Sequence, residues 1–320
     1  MASITDPTSR GGRRQERKQK RRAGQGVWYP RWFWPSFATP ASLYLVIFFV
    51  LPLYVIVSVA FGTVDPVFQA SVPIYQPWYW TSQYLTQVLG DAVGYQRGVY
   101  IRTFIYVVIA SIICVFIAYT VAYYVSRFGG KRKGLFLTLL IAPFFVSYLM
   151  RMLAWINLLQ TDGYINKIMG WIPFAPHRVN WLGGYPVTLV LGLVYGYIPY
   201  MILPFYGFLD RIQQSLLEAG RDLGASPVRT FVRVTLPLSR QAILAGIVIV
   251  SLPMFGDYYT HDLLSQSPKT TMVGNLLDSA INNVGQGPLG AVLVLILMIV
   301  LLIPMGYYLR STSNELKVST

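Results

Sequence analysis

The residues best placed to do chemistry lie in two short runs and one isolated pair. The first run is Asp257-Tyr258-Tyr259-Thr260-His261-Asp262. Carboxylates beside aromatic rings attract a cationic, partly apolar group, by ion pairing and by the negative face of each ring. A spacing of four places Asp257 and His261 on one helix face, and Tyr258 and Asp262 on another. The pair is Arg151 and Trp155, upstream in an apolar stretch. Arg151 and Asp257 either neutralise each other or line a solute path together with Trp155, Tyr258, Tyr259 and Asp262. The second run, Gln213-Gln-Ser-Leu-Leu-Glu218-Ala219-Gly220-Arg221-Asp222-Leu223-Gly224, is polar, made of helix formers, and ends on glycine.

Other chemistries are excluded by what the chain lacks. A nucleotide-binding G-x-x-x-x-G-K-[S/T] is absent: Gly130-Lys131 is followed by Arg132, and residue 125 is valine. There is no H-E-x-x-H, and the only histidines are His177 and His261. No nucleophile or metal constellation emerges, so an embedded hydrolase is not the reading. Cys114 is the single cysteine, so no intramolecular disulfide forms.

The elements that must hold these residues are read from the charges. Hydrophobic residues make up 54% of the 320, and only 12% are charged, against roughly 25% in a soluble domain. Charge-free stretches run 32–64, 103–126, 134–150, 179–209, 241–256 and 279–309. A bilayer core takes about 20 apolar residues per helix. Arg151 and Asp257 each interrupt one stretch whose apolar character continues beyond them. The expected fold is therefore all-α, a polytopic membrane protein with six spans near 40–62, 102–126, 134–158, 184–208, 242–263 and 288–309. Pro143 and Pro253 are expected to kink their helices.

Of the 26 basic residues, 20 fall before the first span, in loops 127–133 and 209–241, and after the last span. Basic residues stay cytoplasmic near spans, so both termini are expected inside. The basic tail 10–22 reads as a solvated segment that helps fix that topology, or alternatively as one that attracts anionic lipid; nucleic acid is not an expected partner. It lies too far ahead of a long apolar run to read as a cleaved signal. Outside segments are 63–100, with Trp78, Tyr79 and Trp80 suited to an interfacial belt or a partner contact, and 159–183, broken by Gly163, Pro173 and Pro176.

Loop 209–241 is too long for a simple connector. A helix over 213–223 is expected to end at Gly224 in the left-handed conformation. Ser226 suits an N-cap and Pro227 the first position of a second helix, running to about Val234 and stopped by Pro237. The pair forms a compact cytoplasmic knob.

Glu218-Ala219-Gly220, then Gly224, Val234 and Leu236-Pro237, resembles the EAA loop of ABC importer permeases, whose pattern is Glu-Ala-Ala, three residues, Gly, nine residues, Ile, one residue, Leu-Pro. The spacing is intact, with Gly220 in place of the second alanine and Val234 in place of isoleucine. The stretch Leu252-Pro253-Met254-Phe255-Gly256-Asp257-Tyr258-Tyr259-Thr260 is similar to spermidine/putrescine-type permeases. So are Ala142-Pro143-Phe144-Phe145 through Arg151 to Trp155, and Gly163-Tyr164-Ile165-Asn166. The resemblance spans roughly residues 100–310. Permeases for iron, sulfate and phosphonates share much of it.

The resemblance implies a type I importer bundle over 38–310, between a basic tail 1–37 and a short cytoplasmic tail 311–320. It implies a subunit of a bacterial inner-membrane transporter rather than an enzyme, with no cofactor in this chain. ATP and Mg would be bound by a separate ABC ATPase. That subunit would dock on Glu218, Ala219, Gly220, Asp222, Gly224, Leu236 and Pro237. A second, homologous permease and an extracytoplasmic solute-binding protein would complete the assembly, and a polyamine such as spermidine or putrescine would be the solute. The alternative is a stand-alone secondary transporter or channel with its coupling site at Asp257 and Arg151 and with His261 as a proton relay.

Overall fold

The computed structural model describes residues 33–172 and 178–318. The basic run 10–31 and Pro173, Pro176 and His177 lie outside the described residues. The chain divides into two units, 1–55 and 56–320.

In the first unit, helix α1 (Phe33–Leu45) runs into a wide π turn, Val46–Val50. The turn directly precedes Leu51-Pro52, which open α2 (Leu51–Ala60). Proline has no N–H to return to the preceding turn, and its ring crowds the carbonyl there. A wider turn relieves both.

The second unit starts within α2 and continues into a hairpin of β1 (Thr63–Val64) and β2 (Ser71–Val72), with Thr63 opposite Val72. Asp65 Oδ1 accepts from the N–H groups of Val67 at 2.7 Å and Phe68 at 2.9 Å. The Phe68 and Val67 N–H groups hold the Asp65 carboxyl below its usual range. Next come α3 (Gln83–Val93) and α4 (Arg97–Phe128). They are followed by α5 (Lys133–Ile141), α6 (Tyr148–Leu159), α7 (Tyr164–Met169) and α8 (Pro186–Leu209). The loop helices are α9 (Gln214–Asp222), α10 (Pro227–Thr230) and α11 (Leu236–Leu238). The chain closes with α12 (Arg240–Phe255), α13 (Tyr259–Leu264), α14 (Val273–Asn282) and α15 (Gly287–Val318).

Among the described residues, four helical stretches are long and apolar enough to cross a membrane singly: Ser36–Ala60, Arg97–Phe128, Pro186–Leu209 and Gly287–Arg310. The count reaches six when each of two bent pairs is one span. The expected third span is not one helix. Its halves, Gly130–Phe145 and Tyr148–Met169, meet at 87°. Pro143 sits in a 3-10 turn, Ala142–Phe145, and Val146 is extended, so the hydrogen-bond ladder stops there. The expected fifth span also breaks: α12 ends at Phe255, two residues past Pro253, and α13 starts anew at Tyr259. The other bent pair, Pro227–Leu238 with Arg240–Phe255, turns through 61° at Ser239.

The core is α4 packed on α8 and α12. Ala110, Cys114, Ala118 and Ala122 recur every fourth residue on α4, all fully buried. Small residues on one stripe let backbones approach, which is how helices associate where lipid removes the hydrophobic drive. On α8, glycine serves the same end. A Cβ on Gly192 would lie 2.5 Å from Leu264 Cδ1 and 2.6 Å from Thr260 Cγ2, and one on Gly196 would lie 2.9 Å from the Tyr148 ring. These two positions seat α13 and α6 against α8 and so bring together the polar groups described next.

Candidate functional site

Asp257 is 7% exposed and lies just ahead of α13. Its Oδ1 accepts from the Thr260 N–H at 3.0 Å and its Oδ2 from the Thr260 hydroxyl at 2.7 Å. The carboxylate therefore caps the first turn of α13, as short acidic side chains do. The hydroxyls of Tyr148 on α6 and Tyr197 on α8 also lie near it. Because the Thr260 hydroxyl gives its proton to Asp257, the Tyr148 hydroxyl, 2.5 Å away, donates to Thr260 Oγ1. Gly274 brings α14 against the same place: a Cβ there would lie 2.6 Å from the Asp257 carbonyl oxygen. Asp257 thus caps α13 with its carboxylate and meets α14 with its backbone, while Tyr148 of α6 joins the same cluster through Thr260. An unpaired acid at membrane depth costs about 2.5–3.5 kcal/mol on insertion scales; this one has enough donors around it to offset that cost.

Arg151 is not its partner. Among the described residues the ion pairs are Lys133–Asp210 and His261–Asp262. The expected Arg151–Asp257 neutralisation is therefore not formed. The guanidinium instead sits in an aromatic box, with its carbon 4.4 Å from the Phe144 ring centre, 5.5 Å from that of Tyr148 and 5.7 Å from that of Tyr195. Arg151 is 8% exposed, and its Nε and Nη1 have no hydrogen-bond partner. The faces of three rings stabilise the cation, and Tyr148 both lies under the guanidinium and bonds Thr260, which in turn bonds Asp257. Trp155 packs edge-on to Tyr195 at 5.3 Å, within the Met152, Leu159 and Leu264 cluster.

The rest of the run is more open. Tyr258 and Tyr259 stack with ring centres 4.1 Å apart, and Tyr259 is 51% exposed. Asp262 accepts from Asn275 Nδ2 at 2.8 Å and meets His261 Nδ1 at 3.0 Å. The second ring nitrogen of His261 lies 3.0 Å from the Ser267 carbonyl. The helical relation expected between Asp257 and His261 does not apply, because Asp257 precedes the helix. Asp278 on α14 lies near Tyr258, as does Asp262. The arrangement is thus a sealed acid, Asp257, beneath an open mouth of stacked rings and two further carboxylates.

Sequence reasoning missed Tyr148, Tyr197, Thr260, Phe144, Tyr195 and Asp278. The aromatic residues flanking Arg151 were a usable signal, since a cation at depth needs something around it. Nothing in the charge-free run of α8 marks Tyr197.

The knob is built as its local sequence requires. Gly224 has φ +79°, with open space where a Cβ would be, so the glycine is there for its backbone. The Ala225 N–H bonds the Gly220 carbonyl at 3.1 Å and the Gly224 N–H the Arg221 carbonyl at 2.8 Å. That pair of bonds is the Schellman closure of a helix end. The Ser226 hydroxyl accepts from the Arg229 N–H at 3.3 Å, capping α10, whose first residue is Pro227. Gly220 faces inward, and its Cβ would sit 3.4 Å from Thr230 Cγ2, so it serves the packing of α9 on α10. Glu218, Ala219, Arg221, Asp222 and Gly224 are exposed, as are Leu236 and Pro237. Glu218 accepts from Gln214 at 3.0 Å. Leu223 is 89% and Val228 73% exposed, so charged groups at this tip flank apolar ones.

Pro237 does not end the second helix. A wide turn, Phe231–Thr235, precedes Leu236-Pro237, and the helix continues to Leu238. The same device precedes Pro52. Two anchors hold the base of the knob. Arg127 donates to the carbonyls of Ile212 at 3.0 Å and Leu209 at 3.1 Å, and Lys133 pairs with Asp210. Cations at the carboxyl end of α8 complement its helix dipole.

Comparison with known proteins places this geometry. The family described as binding-protein-dependent transport system inner membrane component matches residues 115–310. Over 191 residues the chain is 34% identical to the spermidine/putrescine transport system permease protein PotB of Escherichia coli (strain K12), covering 59% of this chain and 68% of that one. It is 30% identical over 198 residues to the inner membrane ABC transporter permease protein YdcU of the same organism, covering 58% and 63%. Its fold is similar to a chain in the crystal structure of a bacterial alginate ABC transporter in complex with alginate pentasaccharide-bound periplasmic protein. The TM-score is 0.68 at 15% identity, over 87% of this chain and 92% of that one.

Proposed function

Since the chain belongs to the family of binding-protein-dependent transport system inner membrane components, we propose that it carries a polyamine, such as spermidine or putrescine, through an ATP-driven importer. The coarser statement stands by itself: this is a multi-pass inner-membrane permease subunit of an ABC importer and not an enzyme. The observation that carries the polyamine reading is the acid–aromatic mouth, Tyr258, Tyr259 and Asp262, together with the 34% identity to PotB. A polyamine offers ammonium groups to carboxylates and methylenes to rings. Asp257 below the mouth caps α13, and Arg151 with Trp155 forms the wall beside it.

The partners follow from the knob. Its exposed tip, Glu218, Ala219, Asp222 and Gly224 with Leu236 and Pro237 behind, docks on an ABC ATPase, which binds the ATP and Mg. A second, homologous permease completes the pathway, and an extracytoplasmic binding protein delivers solute at the Asp262 end. The basic residues put the knob and both termini in the cytoplasm. A stand-alone transporter with an Arg151–Asp257 coupling pair finds no support, because among the described residues no ion pair joins the two.

The test is uptake of labelled spermidine and putrescine by cells that lack their own polyamine importers and express this chain with its neighbouring transport genes. Saturable uptake is expected, competed by unlabelled polyamines and not by acidic or neutral oligosaccharides. Asp262→Asn is expected to raise the half-saturating concentration several-fold, the size of a lost charge-assisted contact. Uptake competed by acidic oligosaccharides and indifferent to polyamines would remove the polyamine reading while leaving the importer intact.

A further inference from the structure

The knob must move something, and its contact with the core is narrow. Phe231, first residue of the wide turn, sits edge-on between Tyr119 and Tyr123 of α4, with ring centres 5.8 and 5.4 Å away. Tyr119 also meets Phe205 of α8 edge-on at 5.8 Å. One ring therefore touches the knob and the paired core helices α4 and α8 at once.

The Tyr119 hydroxyl reaches Ser239 Oγ at 2.8 Å. Ser239 is fully buried and stands at the 61° bend between the knob's second helix and α12. The Ser239 hydroxyl donates to the Leu236 carbonyl at 3.0 Å, which uses its only proton, so Tyr119 is the donor in the other bond. Two backbone bonds hold Ser239 to the helices on either side of the bend, from the Ser239 N–H to the Thr235 carbonyl and from the Ile243 N–H to the Ser239 carbonyl, both at 3.0 Å. The bend is thus a hydrogen-bonded joint, tied at one point to α4. Beside it, Thr235 Oγ1 is fully buried and without a partner. Native structures leave few such groups, and this one marks the wide turn as the least satisfied part of the joint.

We propose that Tyr119, Phe231 and Ser239 form the joint that passes movement of the knob into α4 and α8, with Tyr119 a positioning residue for the coupling of ATP hydrolysis to transport. Phe231 transmits push through ring contacts. The Tyr119–Ser239 bond keeps the bend in register with α4, so that a turning knob carries the core instead of flexing at Ser239. The inference rests on the reading that the knob docks on an ATPase.

The experiment uses the whole importer in lipid nanodiscs, with the binding protein purified from the native host carrying whatever solute it holds. ATP hydrolysis is measured with and without excess binding protein, and retention of the ATPase subunit is followed on purification. The wild type is expected to show stimulation. Tyr119→Phe keeps the ring and loses the hydroxyl. It is expected to retain the ATPase subunit while stimulation falls about threefold to tenfold, the factor set by one buried hydrogen bond. Ser239→Ala removes the same bond and the Ser239–Leu236 bond with it, so it should fall at least as far, and the double variant should fall no further than Ser239→Ala, because the shared bond is already cut. A merely structural role would lower yield or subunit retention and leave the stimulation ratio alone. Full stimulation in Tyr119→Phe or Ser239→Ala, or additive losses in the double variant, would overturn the joint. If Tyr119→Phe fails to purify, Ser239→Ala decides. A wild-type complex that retains the ATPase subunit but is never stimulated would bring down the importer reading, and the joint with it.

Discussion

Gly224→Val leaves the chain in the membrane and lowers ATP-driven uptake at least tenfold. Gly224 has φ +79° and closes α9 through two backbone bonds. A β-branched residue there is a backbone outlier, costing roughly 1–2 kcal/mol. That is small against a helical membrane bundle but large for a two-helix tip, whose angle sets what its exposed residues meet. No neighbouring atom lies within 4 Å of the added Cβ, so the effect comes through the turn and not through packing. Gly224→Asn is the control, since asparagine tolerates the left-handed region; it is expected to keep half or more of the uptake. Glu218→Lys reverses charge on the same exposed face without touching the turn, and is expected to lose the ATPase subunit on purification. Normal uptake and normal subunit retention in both Gly224→Val and Glu218→Lys would count against the docking role of the knob.

The second large effect is at Asp257. Asp257→Leu strands the buried Thr260 N–H and hydroxyl. Each unsatisfied buried donor costs about 1–3 kcal/mol, so a loss of about 3 kcal/mol or more is expected, read as a drop in thermal unfolding temperature in detergent. Uptake should vanish with it. Asp257→Asn keeps an acceptor for the Thr260 N–H and should lose only about 1 kcal/mol. If Asp257→Leu unfolds at the wild-type temperature, the carboxylate is not the stabilising cap that its geometry indicates. A stable Asp257→Asn that fails to import polyamine would show its charge acting on the solute as well.

Much of this was legible in local sequence. Gly224, Ser226 and Pro227 each do what residue type and position require, because helix ends are set by backbone groups within a few residues. The long spans were legible from uninterrupted apolar runs, since charge at membrane depth is costly. The two bent spans were not. Pro143 and Pro253 announced a disturbance, but the 87° angle beyond Pro143 depends on what the two arms pack against, and no proline stands at Ser239, where the other pair turns through 61°. Pro237 was expected to stop a helix that instead widens its turn and continues to Leu238.

Arg151 and Asp257 gave the clearest lesson. Their depth along two helices fitted a pair, but depth says nothing about direction around the helix axis. Phe144, Tyr148 and Tyr195 gave the guanidinium another solution. Tyr197 and Tyr119 had no signal in one sequence, because a tyrosine in an apolar span reads as lipid-facing or core until its hydroxyl's partner is seen.

The central claim is that another subunit's ATP hydrolysis turns this chain's knob. Its most direct test is accumulation of labelled solute against a gradient in proteoliposomes, with binding protein and ATP supplied. One preparation carries the active ATPase, a second an ATPase that binds but cannot hydrolyse ATP, and a third this chain alone. Uphill accumulation is predicted only in the first. Accumulation by the chain alone, driven by an ion gradient and indifferent to nucleotide, would contradict it.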